Sequence, residues 1–146
     1  MNEMIEVFKV LSDETRLRIV RLFLHAEVSL CVCEIVDALG LPQYKVSRHL
    51  SALKNAGLMD ATKKGTWAYH QLKVDSPLLS KLWEFIGSTS LDEDGELLLE
   101  RDREVLDWRL SLRDNDMCVV GLSPGTGKDE AGMTENDENR TKQNDR

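Results

Sequence analysis

Apolar residues recur every three or four positions through the first 57 residues, which predicts a series of helices. The first two cover residues 4–11 and about 12–26, and Ser12 is the predicted N-cap of the second. Two more helices are predicted over residues 29–40 and about 43–56, because a proline turn separates them and a glycine ends each one. This second pair is therefore predicted to form a helix–turn–helix unit.

The apolar period changes from helical to alternating over residues 58–72, where β-forming residues flank a Lys-Lys-Gly-Thr sequence. This alternation predicts a β-hairpin whose glycine supplies the positive φ that the turn needs. Residues 77–115 read as helical again, with a break across residues 87–95. We therefore predict a mainly α fold with a β-hairpin wing, a winged helix-turn-helix, in residues 1–115. The polar residues 116–146 are predicted to form a disordered tail.

The distribution of charge changes the first impression that composition gives. A net charge of −7 argues against binding to nucleic acid. Residues 44–74, however, contain six Lys and Arg residues and a single acidic residue, Asp60. In a winged helix-turn-helix, the second helix enters the major groove by its first turns and the wing contacts the flanking backbone. The candidate DNA-contacting residues are Gln43, Tyr44, Lys45, Ser47, Arg48 and His49 on that helix, and Lys63 and Lys64 at the hairpin tip.

The three cysteines, at positions 31, 33 and 118, do not make a disulfide framework and indicate reduced thiols. Cys31 and Cys33 begin a predicted helix, where the thiol pKa is lowered and thiolate becomes available to soft metals. On a regular helix two such residues point about 200° apart, so we expect both to bind one ion only if the first turn unwinds. Cys118 is a candidate third ligand, from the same chain or across a dimer. The alternative is that the cysteines are simply buried.

Four segments together resemble the ArsR/SmtB family of metal-sensing repressors: Leu11–Ile19, Leu30–Ile35, Val46–Leu53 and Gly65–His70. The motifs span about residues 4–75. The resemblance implies a homodimer whose interface is formed by N- and C-terminal helices, here residues 4–11 and 77–113. It also implies a repressor that binds double-stranded operator DNA and is released when an inducer binds.

The Cys-Val-Cys-Glu run resembles the family's arsenic- and cadmium-type sites, which implies trivalent arsenic or antimony as inducer, with cadmium or lead as the alternative. Some members use a third cysteine in this helix, but residues 34–37 contain none. Members that bind zinc through the C-terminal helix use histidine there, and this chain has no histidine after His70. The resemblance therefore implies a soft-metal or metalloid sensor.

Three alternative functions also have to be considered. With the same fold, the two cysteines can act as a redox switch. An enzyme is not supported, since no nucleophile–base pair or phosphate loop is evident. A winged helix that binds protein instead of DNA is a further alternative. No apolar run approaches the roughly 18 residues of a membrane span, and no signal peptide is evident, so we expect a cytoplasmic protein that does not contact membranes.

Overall fold

Six helices and three short strands make up residues 1–121, the part of the chain that the computed structural model describes. In chain order they are α1 Asn2–Leu11, α2 Glu14–Ala26, β1 Leu30–Cys31, α3 Val32–Leu39, α4 Gln43–Asn55, β2 Met59–Lys64, β3 Trp67–Leu72, α5 Pro77–Ser88 and α6 Glu93–Ser111. This arrangement confirms the mainly α fold with a β-hairpin wing. The predicted tail beyond residue 121 lies outside the described residues.

The helix–turn–helix consists of α3 and α4. Gly40 ends α3 in the left-handed conformation, φ 64°, and Pro42 immediately precedes α4. The apolar side chains of α4, Val46, Leu50 and Leu53, are buried in the core shared with α2 and α3. Packing of this face leaves the opposite, polar face of α4 exposed.

The sheet is antiparallel, with β3 between β1 and β2. The β2–β3 hairpin turns at Gly65, whose φ of 60° is a conformation that glycine adopts without steric cost. Strand β1 is only two residues long and places Leu30 opposite His70 and Cys31 opposite Tyr69. The sheet therefore joins residues 30 and 31, which lead into α3, to the wing.

Two predicted helix starts were wrong. Asp13, not Ser12, caps α2, and its side chain accepts a hydrogen bond from the Arg16 amide. Helix α3 begins at Val32 and not near residue 29, because Leu30 and Cys31 pair with β3 as a strand. A two-residue strand has no periodicity of its own, so the local pattern could not indicate it.

Helix α6 packs against α2 and α3, and buried ion pairs connect it to both. These pairs are Arg18–Asp102 and Asp37–Arg109, with shortest N–O distances of 2.8 and 2.7 Å. A third pair, Glu34–Arg113 at 2.6 Å, connects α3 to the chain just beyond the end of α6. After α6 the chain reverses and runs back over α3. Residues 116–121, which the sequence pattern assigned to the tail, pack there, and Cys118 is buried.

None of the helices in the described part of the chain has the length and hydrophobicity needed to span a bilayer.

Candidate thiol site and nucleic-acid interface

Three buried thiols meet at the N-terminus of α3. The Sγ atom of Cys33 lies 2.8 Å from that of Cys31 and 3.3 Å from that of Cys118. All three sulfurs lie within 4.8 Å of one another, and no side chain is more than 4% exposed. The structure thus brings together the three cysteines that the sequence marked as candidate ligands.

The expectation that Cys31 and Cys33 point apart was wrong. Cys31 is the N-cap residue of α3 and has an extended backbone, with φ −86° and ψ 159°. Only Cys33 has helical geometry, so the 200° separation of a regular helix does not apply. Both sulfurs face one point without any unwinding of the first turn.

The thiols differ in acidity because they share hydrogen bonds. The hydrogen bond with Cys31 lowers the pKa of the Cys33 thiol to about 6, and the positive charge of Arg109 acts in the same direction. The same hydrogen bond, together with burial, raises the pKa of Cys31. Burial raises the pKa of Cys118. The cluster therefore favours one thiolate, on Cys33, flanked by two thiols.

The carboxylate of Glu34 holds the backbone of Cys31 in place. It accepts a hydrogen bond from the Cys31 amide at 3.0 Å and two from the Arg113 guanidinium at 2.6 and 2.7 Å. Burial acts to raise the pKa of Glu34, but the hydrogen bonds from Arg113 and Cys31 outweigh it and lower that pKa. Arg113 also donates to the Ser29 carbonyl. One guanidinium therefore contacts both Ser29, before β1, and Glu34, in the first turn of α3.

Cys118 reaches the site through a tight reversal after α6. Asp114 and Met117 exchange backbone hydrogen bonds of 3.0 and 2.9 Å, and the residues between them, Asn115 and Asp116, both have positive φ. Asn and Asp tolerate this conformation better than most residues, so this Asn-Asp pair was a usable turn signal. The domain boundary predicted at residue 115 does not take this turn into account.

A cavity of about 350 Å³ adjoins the thiols and reaches both α4 and the β2–β3 hairpin. Its lining includes Cys31 and Cys33, the first residue of α4, Gln43, and Trp67 and Ala68 of the wing strand β3. A ligand bound to the sulfurs therefore lies next to the start of the recognition helix and next to the wing.

The predicted DNA-contacting residues lie on one exposed side of α4 and on the hairpin. Those with exposed side chains are Gln43, Tyr44, Lys45, Arg48, Lys63 and Lys64, and Ser47 is half-buried. The Arg48 guanidinium lies 5.9 Å from the centre of the Tyr44 ring, a cation–π distance. Within the described residues, these cationic side chains have no acidic partner at salt-bridge distance.

His49 differs from its neighbours. It is half-buried, and its Nδ1 accepts a hydrogen bond of 3.1 Å from Arg16 of α2. Burial lowers the pKa of His49, and the charges of Arg16 and Arg48 lower it further. The hydrogen bond between Arg16 and His49 therefore connects α2 to α4. Sequence reasoning did not single out Arg16, since an arginine on a helix surface normally indicates only a solvated face.

The donor set fits a soft metal or metalloid. An ion with metal–sulfur bonds of about 2.3 Å in tetrahedral geometry separates its sulfurs by about 3.8 Å. The two short separations, 2.8 and 3.3 Å, therefore have to widen by about 1 Å at most. Among the described residues, the ligand group consists of three sulfurs without an imidazole or carboxylate, a set suited to thiophilic ions and not to hard cations.

A helix–turn–helix with a polar, basic second helix and a lysine-tipped hairpin defines a DNA-binding regulator of the winged helix-turn-helix class. The family model described as "Bacterial regulatory protein, arsR family" matches residues 13–61, from the N-cap of α2 into β2.

Three relatives extend this match. An uncharacterized HTH-type transcriptional regulator of Methanocaldococcus jannaschii is 46% identical over 70 residues, which are 48% of this chain and 78% of that protein. The arsenical resistance operon repressor of Escherichia coli is 45% identical over 73 residues, 50% of this chain and 62% of the repressor. The cadmium resistance transcriptional regulatory protein CadC of Listeria innocua is 42% identical over 66 residues, 45% of this chain and 55% of CadC.

The chain belongs to the ArsR family of bacterial regulatory proteins, a family of DNA-binding transcriptional regulators and not of enzymes. It spans only about three-fifths of the Escherichia coli repressor and just over half of CadC.

Proposed function

We propose that this protein is a homodimeric repressor that binds operator DNA and leaves it when trivalent arsenic or antimony binds Cys31, Cys33 and Cys118. The observation that supports this most is the convergence of three buried thiols beside the first residue of the recognition helix. Relatives named for arsenical and cadmium resistance support the same class of inducer.

Charge balance favours arsenic over cadmium at this site. Neutral arsenous acid exchanges its three hydroxyl groups for two thiols and the Cys33 thiolate, takes up one proton from solvent and releases three waters, so the bound product carries no net charge. A divalent cation held by three thiolates leaves one net negative charge in a buried site, which has an energetic cost unless a cation compensates it. The adjacent guanidinium groups of Arg109 and Arg113 are already paired with Asp37 and Glu34. A neutral trithiolate is therefore the better match.

Binding is coupled to DNA through short, rigid connections. The sulfurs have to separate, and Cys31 lies in β1, which pairs with the wing strand β3. Gln43 at the start of α4 and Trp67 of the wing line the same cavity. Displacement at Cys31 or Cys33 therefore changes the relation between wing and recognition helix. A coupling free energy of about 1–3 kcal/mol is enough to change operator occupancy substantially.

The dimer is proposed to form through α1 and α5. Ile5 and Phe8 of α1 are 43% and 58% exposed, and Phe85 of α5 is 65% exposed. Large exposed apolar side chains, here on α1 and α5, are typical of a subunit interface. A two-fold dimer places two α4 helices on two half-sites of the operator.

The test is fluorescence anisotropy of the protein on its own upstream DNA, titrated with arsenite, cadmium and zinc under reducing conditions. Arsenite should release the wild type from DNA and should fail to release Cys33→Ser. Arg48→Ala should lose DNA affinity with no arsenite present. This variant therefore distinguishes loss of DNA contacts from loss of inducer binding. DNA binding that is indifferent to all three ions would reject the proposed inducer while leaving the DNA-binding class intact.

Two alternatives use the same thiols. The similarity to CadC favours cadmium or lead, and the titration above decides between these ions and arsenite. The short distance between Cys33 and Cys118 also favours oxidation, in which a peroxide takes two hydrogens from the thiols to leave a disulfide and water. Release of DNA by peroxide in metal-free buffer, reversed by a dithiol reductant, would support that second alternative.

A further inference from the structure

The segment that carries Cys118 leaves α6 by a tight turn and is held by packing at one end and by hydrogen bonds along its length. Met117 and Cys118 pack against Trp67 and Tyr69, whereas the next two residues, Val119 and Val120, are 56% and 39% exposed. Three side chains hydrogen-bond its backbone: Tyr69 accepts from Cys118, Arg109 donates to Val120 and Gly121, and Arg113 donates to Asp116. Of these three, the buried Tyr69 and Arg109 bond to Cys118 and to the residues that follow it.

Arg109 holds the segment from the side of α6. One nitrogen of its guanidinium donates to the carbonyl of Val120 and, at 2.6 Å, to that of Gly121, while Nε donates to Asp37 of α3 at 2.7 Å. Arg109 is 1% exposed. The planar fork of a guanidinium allows both sets of bonds at once, which the single ammonium of a lysine cannot reproduce.

Tyr69 holds the segment from the side of the wing. Its hydroxyl oxygen accepts a hydrogen bond of 2.8 Å from the amide of Cys118. Tyr69 is also the residue directly opposite Cys31 in the sheet. The guanidinium of Arg113 and the ammonium of Lys64 lie 5.7 and 5.8 Å from the centre of its ring, so the ring has little freedom to move.

We propose that Arg109 and Tyr69 are positioning residues that hold Cys118 in place as the third sulfur ligand, an assignment that rests on the proposed function. Neither side chain binds the inducer itself. With both in place, arsenous acid exchanges three hydroxyl groups for the three cysteine sulfurs and releases three waters, with one proton taken from solvent because Cys33 is already a thiolate. When either is lost, the segment bearing Cys118 leaves the site, two hydroxyl groups are exchanged, one proton is again taken from solvent, two waters are released and one hydroxyl group stays on arsenic.

Tyr69→Phe is the primary test, because it removes one oxygen and keeps the ring that packs in the site. X-ray absorption of the arsenite complex should show three sulfur neighbours in the wild type and two in Tyr69→Phe. Arsenite affinity should fall about ten- to a hundredfold, the usual effect of removing a group that orients a ligand. Tyr44→Phe makes the same chemical change on the exposed face of α4 and should leave the sulfur count at three.

Arg109→Lys is the second variant, since it keeps a cation next to Asp37 and removes the fork that reaches the carbonyls. It should also give two sulfur neighbours, whereas Arg101→Lys, at an exposed position of the same helix, should give three. Circular dichroism on each variant establishes that the helices are retained.

A double-mutant cycle separates positioning from general support of the fold. In the Cys118→Ser background, Tyr69→Phe should cause no further loss of arsenite affinity, because there is no third sulfur to position. An equal loss in both backgrounds would overturn the proposal. Three sulfur neighbours retained in both Tyr69→Phe and Arg109→Lys would also overturn it.

The wild type distinguishes this failure from failure of the proposed function. If wild-type protein binds arsenite through only two sulfurs and is still released from DNA, the sensor stands and the positioning roles are rejected. If wild-type protein does not bind arsenite at all, the inducer assignment fails and the positioning roles fail with it.

Discussion

The ion pair between Arg18 and Asp102 offers a sharp test of how α6 is attached to the helix–turn–helix domain. Two nearly parallel hydrogen bonds of 2.8 and 2.9 Å join the guanidinium to the carboxylate, and Arg18 also donates to the Leu39 carbonyl at the end of α3. Asp102 is 1% exposed. Replacing Arg18 by Leu keeps side-chain volume but leaves a buried carboxylate without its partner.

The burial of this ion pair determines how much stability the Arg18→Leu variant should lose. Breaking a buried ion pair from one side destabilises a protein by about 3–5 kcal/mol, because the remaining charge is uncompensated. For a domain of this size, such a loss lowers the melting temperature by about 10–20 °C. Removing both charges together, in Arg18→Leu/Asp102→Leu, should restore most of the stability, because no unpaired charge is then left behind.

Urea denaturation at one fixed protein concentration measures these values, since stability of an oligomer depends on concentration. Lys9→Ala is the control. Lys9 pairs with Glu6 at 3.4 Å on the exposed face of α1, and its loss should change stability by less than about 0.5 kcal/mol. A single variant Arg18→Leu that costs under about 1 kcal/mol, or a double variant as unstable as the two singles combined, would refute the reasoning.

Three further outcomes are expected. Arg48→Ala should weaken operator binding about ten- to a hundredfold and lower the salt slope of log affinity by about one, as measured by anisotropy, and an unchanged slope would place Arg48 away from the phosphates. Arsenite should change the tryptophan fluorescence of the wild type but not of Trp67→Phe, because Trp67 lines the cavity beside Cys31; a signal that persists in the variant would have to come from another tryptophan. Burial and a nearby lysine lower the pKa of His70 from 6.5 to about 4, so between these values the unfolded chain binds more protons. Stability should therefore fall as pH drops through this window, by at most about 3 kcal/mol, and denaturation curves of His70→Phe should show a flatter pH dependence.

The helices and the hairpin were predictable from sequence because their signals are local. The periods of 3.6 and 2, a proline turn and Gly40 each act within a few residues, and the structure confirms the elements they indicate. The start of α3 was not predictable in this way. Cys31 becomes an N-cap only because β3, almost 40 residues later, supplies the partner for β1.

The candidate site was predictable in its residues but not in its geometry. Cys31 and Cys33 were recognisable from their spacing, whereas Cys118 lies 85 residues beyond Cys33 and no spacing rule connects them. The acidic and basic residues that attach α6 and the chain just beyond it to α3 are 72 and 79 residues apart, and in the sequence each looks like part of a solvated helix face. Only tertiary packing shows that these charges are buried and paired.

The distance along the chain between Cys33 and Cys118 also affects how well folded and unfolded protein can retain the proposed inducer. A metalloid atom that binds both residues closes an 85-residue loop. An unfolded chain would have to give up entropy to keep that loop closed, by an amount that increases with the logarithm of its length, whereas the folded protein has already brought the two ends together. The bound atom therefore acts as a cross-link that favours the folded state, and thermal unfolding should shift upward as the site fills. Under the proposed function, chains that are still folding would offer only the weaker two-sulfur site, and the response would be confined to folded protein.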